Sequence, residues 1–340
     1  VIAIQAAGAM TPVGLDLTDT MVGLYTRVQL FEDLGVLDSE GEPLSGMKIR
    51  FEDELAGPAR ITEIAHAVVE ECAAAIEPVS APVPLILCCP DGSAFGPEAA
   101  GLPERLLAEV MAESAIPIDG KRSRVIARGR DGLLDALGAA LALLKDAPVP
   151  CCLVGGVDSL IDDERVQALV EDNRLLTPTN KDGFLAGEAG AMLVLSSRPD
   201  KEALATWLGA AAGSEEACRG SDRPITGAGV QDAVAKALGL AKVPFESVAC
   251  LAHDFSGESR YFEELTLASA RLAKSSANRA VEIPAFSVGE TGAAAGFLAI
   301  AMLAFLHSKG VHAQPSLAVL SCDGLERGAV VLGPAKGERR

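Results

Sequence analysis

Few side chains in this sequence stand where their chemistry is conspicuous. His253, in "LAHDFSGES", is of a type that moves protons near neutral pH. Cys322, in "LSCDGLERGAVVL", is a thiol and so a latent nucleophile. Glu290, in "SVGETGAAAGFLAIAMLA", is a carboxylate at the mouth of a long uncharged run. If buried there, it must stay protonated or pair with a cation. Arg128 and Arg130 close "GKRSRVIARGR", a stretch with five basic residues that suits a phosphate or an acidic helix, or else a surface loop whose arginines fill a closed cavity.

Metal chemistry is not expected, and no cofactor is implied. The eight cysteines form no C-x-x-C pair, and no histidine has ligand spacing to them. Most lie in apolar runs such as "LILCC" and "PCCLVGG", where cysteine is a small core residue. "GEAG" at residues 187–190 is a weak phosphate cradle because a strand follows it; its glycines suit a tight hairpin and close packing. Asp162 and Asp163 in "SLIDDER" read as surface charge. A net charge of −18 argues against nucleic acid as a partner, and no apolar run reaches membrane-spanning length. The opening "VIAIQAAG" reads as a strand rather than a signal peptide, so a reducing cytoplasm is the expected setting.

The elements that must position these groups alternate along the chain. Strands are expected at residues 1–5, 85–89, 151–154 and 191–195, then at 206–210, 247–252, 281–283, 317–320 and 329–332. Helices are expected at 59–75, 103–115, 133–145, 227–238, 260–274 and 292–306. Such alternation, with 49% hydrophobic residues, means an α/β architecture with buried sheets. The pattern runs twice and breaks near "SSRPDKEAL", giving halves of 1–198 and 199–340 within one compact unit.

Read in order, several stretches resemble the β-ketoacyl synthase branch of the thiolase superfamily. "AAGAMTPVG" looks like that family's first strand and turn, and "CLVGGVDSL" and "DGFLAGEAGAMLVL" like its strand-turn and glycine hairpin. "PITGAGVQDAVAKALGLAKVPFESVACLAHDFSGES" has the shape of its helix, connector and first histidine loop. "SVGETGAAAGFLAIAMLA" looks like its second histidine loop and buried helix. The resemblance implies the thiolase fold, a duplicated five-layered α-β-α-β-α sandwich, usually dimeric.

It also implies where the catalytic groups should stand. The acyl-accepting cysteine of the family falls between Arg128 and Arg130, with Gly129 the best single match, and none of the three can hold an acyl group. Asp131 is placed to help the start of the helix that follows. His253 matches the first family histidine, with Asp254 and Phe255 where small residues are usual, and Glu264 fits the acidic residue downstream. Glu290 takes the place of the second histidine, and the expected lysine falls near Ala285. Arg128 or Arg130 is then the natural counter-ion for Glu290. Cys322 faintly resembles a second reactive cysteine of thiolases. The implied protein is non-condensing: a chain-length-factor-like partner or acyl-binding scaffold of a fatty acid or polyketide type pathway. The alternative is an acyltransferase, thioesterase or decarboxylase using His253 or Cys322. Its partners would be a second copy or a ketosynthase, with acyl carrier protein or acyl-CoA, and neither nucleic acid nor membrane.

Overall fold

The computed structural model describes residues 1–76, 78–79, 81–91, 101–146, 149–273 and 279–335. The first half runs β1 (Ala3–Met10), α1 (Leu17–Tyr25), β2 (Glu32–Leu37), β3 (Pro43–Met47), α2 (Gly57–Ile76), β4 (Leu85–Cys89), α3 (Leu102–Glu113), β5 (Arg124–Ala127), α4 (Leu133–Asp146), β6 (Cys151–Ser159), α5 (Asp163–Glu171) and β7 (Ala186–Ser196). The second runs β8 (Ala205–Ser214), α6 (Ala228–Ala241), β9 (Cys250–His253), α7 (Ser259–Leu272), β10 (Ala280–Glu282), α8 (Ala285–Val288), α9 (Ala295–Ser308), β11 (Ser316–Ser321) and β12 (Glu326–Pro334).

The sheet order is β10-β9-β11-β12-β8-β1-β7-β6-β4-β5, with the β2–β3 hairpin attached to β7. Leaving the hairpin aside, each half reads third-second-fourth-fifth-first from its outer edge. The two first strands, β1 and β8, meet antiparallel at Ala3–Thr206 and Ile4–Ala205. One order repeated about one junction is a duplicated fold.

Strand alternation sorts side chains into layers. On β7, Ala191, Leu193 and Leu195 join the central core with α4 and α9, while Met192 and Val194 face α2 and α3. On β11, Ala318 and Leu320 face the central core, and Leu317 and Val319 face α6 and α7. The layers are therefore helices, sheet, central helices, sheet, helices. All of α9 except Phe305 and Ser308 is buried, which explains a helix with no polar side.

Some expectations need correction. The run from 292 begins as a 3-10 turn, Gly292–Ala294, and α9 starts at Ala295. "GEAG" lies inside β7 rather than in a hairpin; a side chain at Gly187 would place its Cβ 1.9 Å from the Val288 carbonyl. Asp162 caps α5 by accepting the Glu164 N–H. The helix expected at 260–274 spans Ser259–Leu272, and residue 274 lies outside the described residues. Among the described residues no helix is long and apolar enough to cross a membrane.

Candidate functional site

Two turns lead into the two central helices. Gly129–Gly132 is a 3-10 turn that runs into α4, and Gly129 has φ of +52°, a conformation that favours glycine. Across the core, Gly289 has φ of +73°, and a Cβ on it would lie 2.7 Å from the Leu185 carbonyl. Glycine there lets Glu290 bridge to β7 through its backbone: its N–H donates to Leu185, and its carbonyl accepts from Gly187. The Glu290 side chain then turns toward the start of α9. Its Oε1 accepts the Gly292 N–H at 2.9 Å, while Asp158 accepts that of Ala293 at 2.8 Å. Two carboxylates thus satisfy the first amides at the positive end of an otherwise apolar helix.

Arg130 joins the two turns. Its Nη1 donates to Glu290 Oε2 at 2.8 Å, its Nε to the Ser321 carbonyl at 2.8 Å, and its Nη2 to the Asp254 carbonyl. The Asp254 carboxylate lies 3.3 Å away and accepts the Ser321 N–H. Burial pushes the Glu290 and Asp254 carboxyls up, and Arg130 pulls both part of the way back. Burial works against charge on Arg130, but Glu290 and then Asp254 outweigh it and hold the guanidinium as a cation. Arg128, by contrast, points to the surface and pairs with Asp135, both about half exposed.

His253 sits apart from this cluster. Along β9, Cys250 and Ala252 face the central core and Leu251 the outer one, so alternation puts His253 on the outer side. Its ring stacks on Phe255 at 4.7 Å, and Phe255 meets Tyr261 and Phe262 of α7. Among the described residues neither ring nitrogen has a hydrogen-bond partner. Burial lowers its pKa to about 3, so the ring is neutral at pH 7 and has no group to exchange a proton with. Cys322 is buried just after β11, and its thiol donates to the Glu326 carbonyl at 3.1 Å. Burial, then Asp131, pushes it up to about 12, too high for a thiolate at neutral pH.

The space between Arg130, Leu133, Leu320, Ser321 and Cys322 is a cavity of about 10 Å³, room for roughly one water. An acyl chain does not fit there. Among the described residues no cluster of His, Cys, Asp and Glu can hold a metal.

Sequence reasoning missed the charges that frame this site. Arg327 is fully buried and donates to Glu264 at 2.6 and 2.9 Å, then to the carbonyls of Gly324 and Glu326, shaping the turn that carries Cys322. Arg174 bridges Glu258 and Asp323, each at 2.6 Å, and Tyr261 donates to Asp323. In the first half Arg60 pairs with Glu188 of "GEAG", and both are buried. A charge next to an apolar strand was the available signal for Arg327 and Glu188.

No family model and no curated protein matches the sequence. Solved structures do match in fold. The oxazolomycin ketosynthase domain of Streptomyces albus has a TM-score of 0.78 at 14% identity, over 100% of this chain and 76% of that one. A type II PKS ketosynthase, solved in complex with its acyl-carrier protein, has 0.78 at 14%, over 98% and 99%. The ishigamide ketosynthase/chain length factor has 0.71 at 17%, over 97% and 98%. The fold is therefore the thiolase fold in the form that ketosynthases share.

Proposed function

We propose, from this ketosynthase-type fold, that the chain is a non-condensing subunit of an acyl-carrier pathway of fatty acid or polyketide type. It acts as a chain-length-factor-like partner of an active ketosynthase, which supplies the nucleophile. The observation that carries this reading is the Arg130–Glu290 pair, which ties the two helix-entry turns together. It stands where the resemblance puts an acyl-accepting cysteine and a histidine, and Gly129 beside it has no side chain to acylate. The cavity of about 10 Å³ supports the same reading, since the acyl chain would have to lie in the partner or between the two chains. Structural neighbours with ketosynthase, chain length factor and acyl-carrier protein in their names make those the partners to test first. All eight cysteines are free, which suits the reducing cytoplasm proposed for it.

The test is reconstitution with a ketosynthase from the same source. Condensation of carrier-bound malonyl and acyl groups should depend on this chain and stop when the ketosynthase's own nucleophilic cysteine becomes alanine. Condensation that survives that substitution would contradict the reading.

A further inference from the structure

The sheet order begins at β10, so among the described residues the outer edge of this second-half strand is unpaired. The Ala280 N–H is spent on the Ala249 carbonyl, on the side of β9. Alternation along a parallel strand then turns the N–H and carbonyl of Val281 outward. Neither a lysine nor a proline, the usual guards of an open edge, stands in β10. Arg279 just before it is turned away, donating to the Phe245 carbonyl and lying over the Phe245 ring.

An apolar face flanks this edge. α1 is followed by Arg27 in a left-handed turn with φ of +57°, which carries the chain across to α8, where Gln29 donates to the Phe286 carbonyl at 2.6 Å. Val22, Tyr25, Val28, Leu30 and Phe286, with Val281 on the edge itself, are each 39–58% exposed. Together they show roughly 500 Å², more than half of the ~800 Å² that each partner gives to a standard interface. Between α1 and β10 lies a dimple of about 20 Å³, and its charged lining residues are Arg27 and Glu282, one of each sign. In a chain of net charge −18, two copies can meet on such a face without adding to their repulsion.

We propose that the β10 edge and the α1–α8 face beside it pair with a second copy of this chain about a two-fold axis. A two-fold antiparallel pair of so short a strand is centred on its middle residue, Val281. The outward N–H and carbonyl of Val281 then exchange two hydrogen bonds with those of the copy, and the two valine side chains meet. Glu282 opposes Ala280 of the copy, so no like charges stand directly across the pair. The two Glu282 carboxylates lie diagonally, roughly 7–8 Å apart, and each has Arg27 in the same dimple to offset the repulsion. An axis perpendicular to the sheet also keeps each α1 on its own side of the sheet. Val22, Tyr25, Val28 and Phe286 of one copy therefore come to face those of the other, and the apolar patch is covered.

Sedimentation of the intact chain over the micromolar range tests this. The wild type should show a self-association step. Val281→Lys and Val281→Glu, changes at an exposed position, should each weaken that step on the order of 10-fold, because like charges then oppose each other. An equal mixture of the two variants should regain it as a mixed pair. Phe286→Asp should weaken it on the order of 100-fold by removing an apolar anchor. A wild type that stays monomeric, a self-association that these changes leave unmoved, or a mixture no tighter than either variant overturns the proposal and gives the face to a different partner. The proposal goes beyond the non-condensing reading and does not depend on it: an acyl adduct on this chain would overturn that reading without moving the sedimentation result.

Discussion

The turns that lead into α4 and α9 hold equivalent places in the two halves, yet one carries a cation and the other an anion. Neither Arg130 nor Glu290 could be buried alone without a large desolvation cost. The duplicated scaffold tolerates both because the two turns face each other. The helices behind them differ as well. α9 is enclosed on nearly every side, whereas α4 leaves Asp135, Gly138 and Ala142 exposed. The second half thus encloses its central helix, whereas the first half leaves part of its own to the surface.

Removing the link between the turns should have the largest effect. Arg130→Ala leaves Glu290 and Asp254 buried without their cation and should cost about 3–5 kcal/mol in urea unfolding. A loss below about 1 kcal/mol would mean that the two turns hold their shape independently.

His253 gives the next effect, and it belongs to the second half alone. Its pKa is lowered to about 3 in the fold, so as pH falls below the ordinary histidine value the unfolded chain gains a proton that the fold refuses. The stability it contributes is present above that value and drains away on acidification, by about 2 kcal/mol at pH 5. His253→Phe should remove this part of the acid sensitivity; equal pH profiles for variant and wild type would show that the ring is not caged.

Glu290 has the opposite sign. Its raised carboxyl binds a proton more readily in the fold, so its contribution is present at low pH and lost as pH rises through the folded value. Glu290→Gln should flatten that loss in pH-dependent unfolding. An unchanged slope would assign the proton uptake to Asp254, the other raised carboxyl, instead. The smallest effect should come from the neighbouring turn residue: Arg128→Ala, which breaks an exposed pair, should change stability by less than about 1 kcal/mol.

How far the sequence foretold this depends on range. β4 was legible to the residue because an apolar run of cysteines and aliphatics admits one reading, and the buried central helix α9 announced itself by lacking a polar side. β5 was not, because "RVIA" is short and sits inside a basic stretch. α5 was missed because it presents few apolar residues, and its cap Asp162 looked like plain surface charge. At the site, the absence of a nucleophile around Gly129 and the need of Glu290 for a cation followed from residue type. That Arg130 rather than Arg128 supplies the cation depends on a turn geometry that no local pattern encodes. Arg327 and Glu264 pair across 63 positions, beyond the reach of any helical or strand periodicity.

The most direct measurement is intact-protein mass spectrometry of the pure chain after mixing with acyl- and malonyl-carrier thioesters, with released product followed in parallel. A chain of the proposed non-condensing kind should show neither a mass increase nor any product. A stable acyl adduct mapped to one residue, Cys322 above all, would contradict the account.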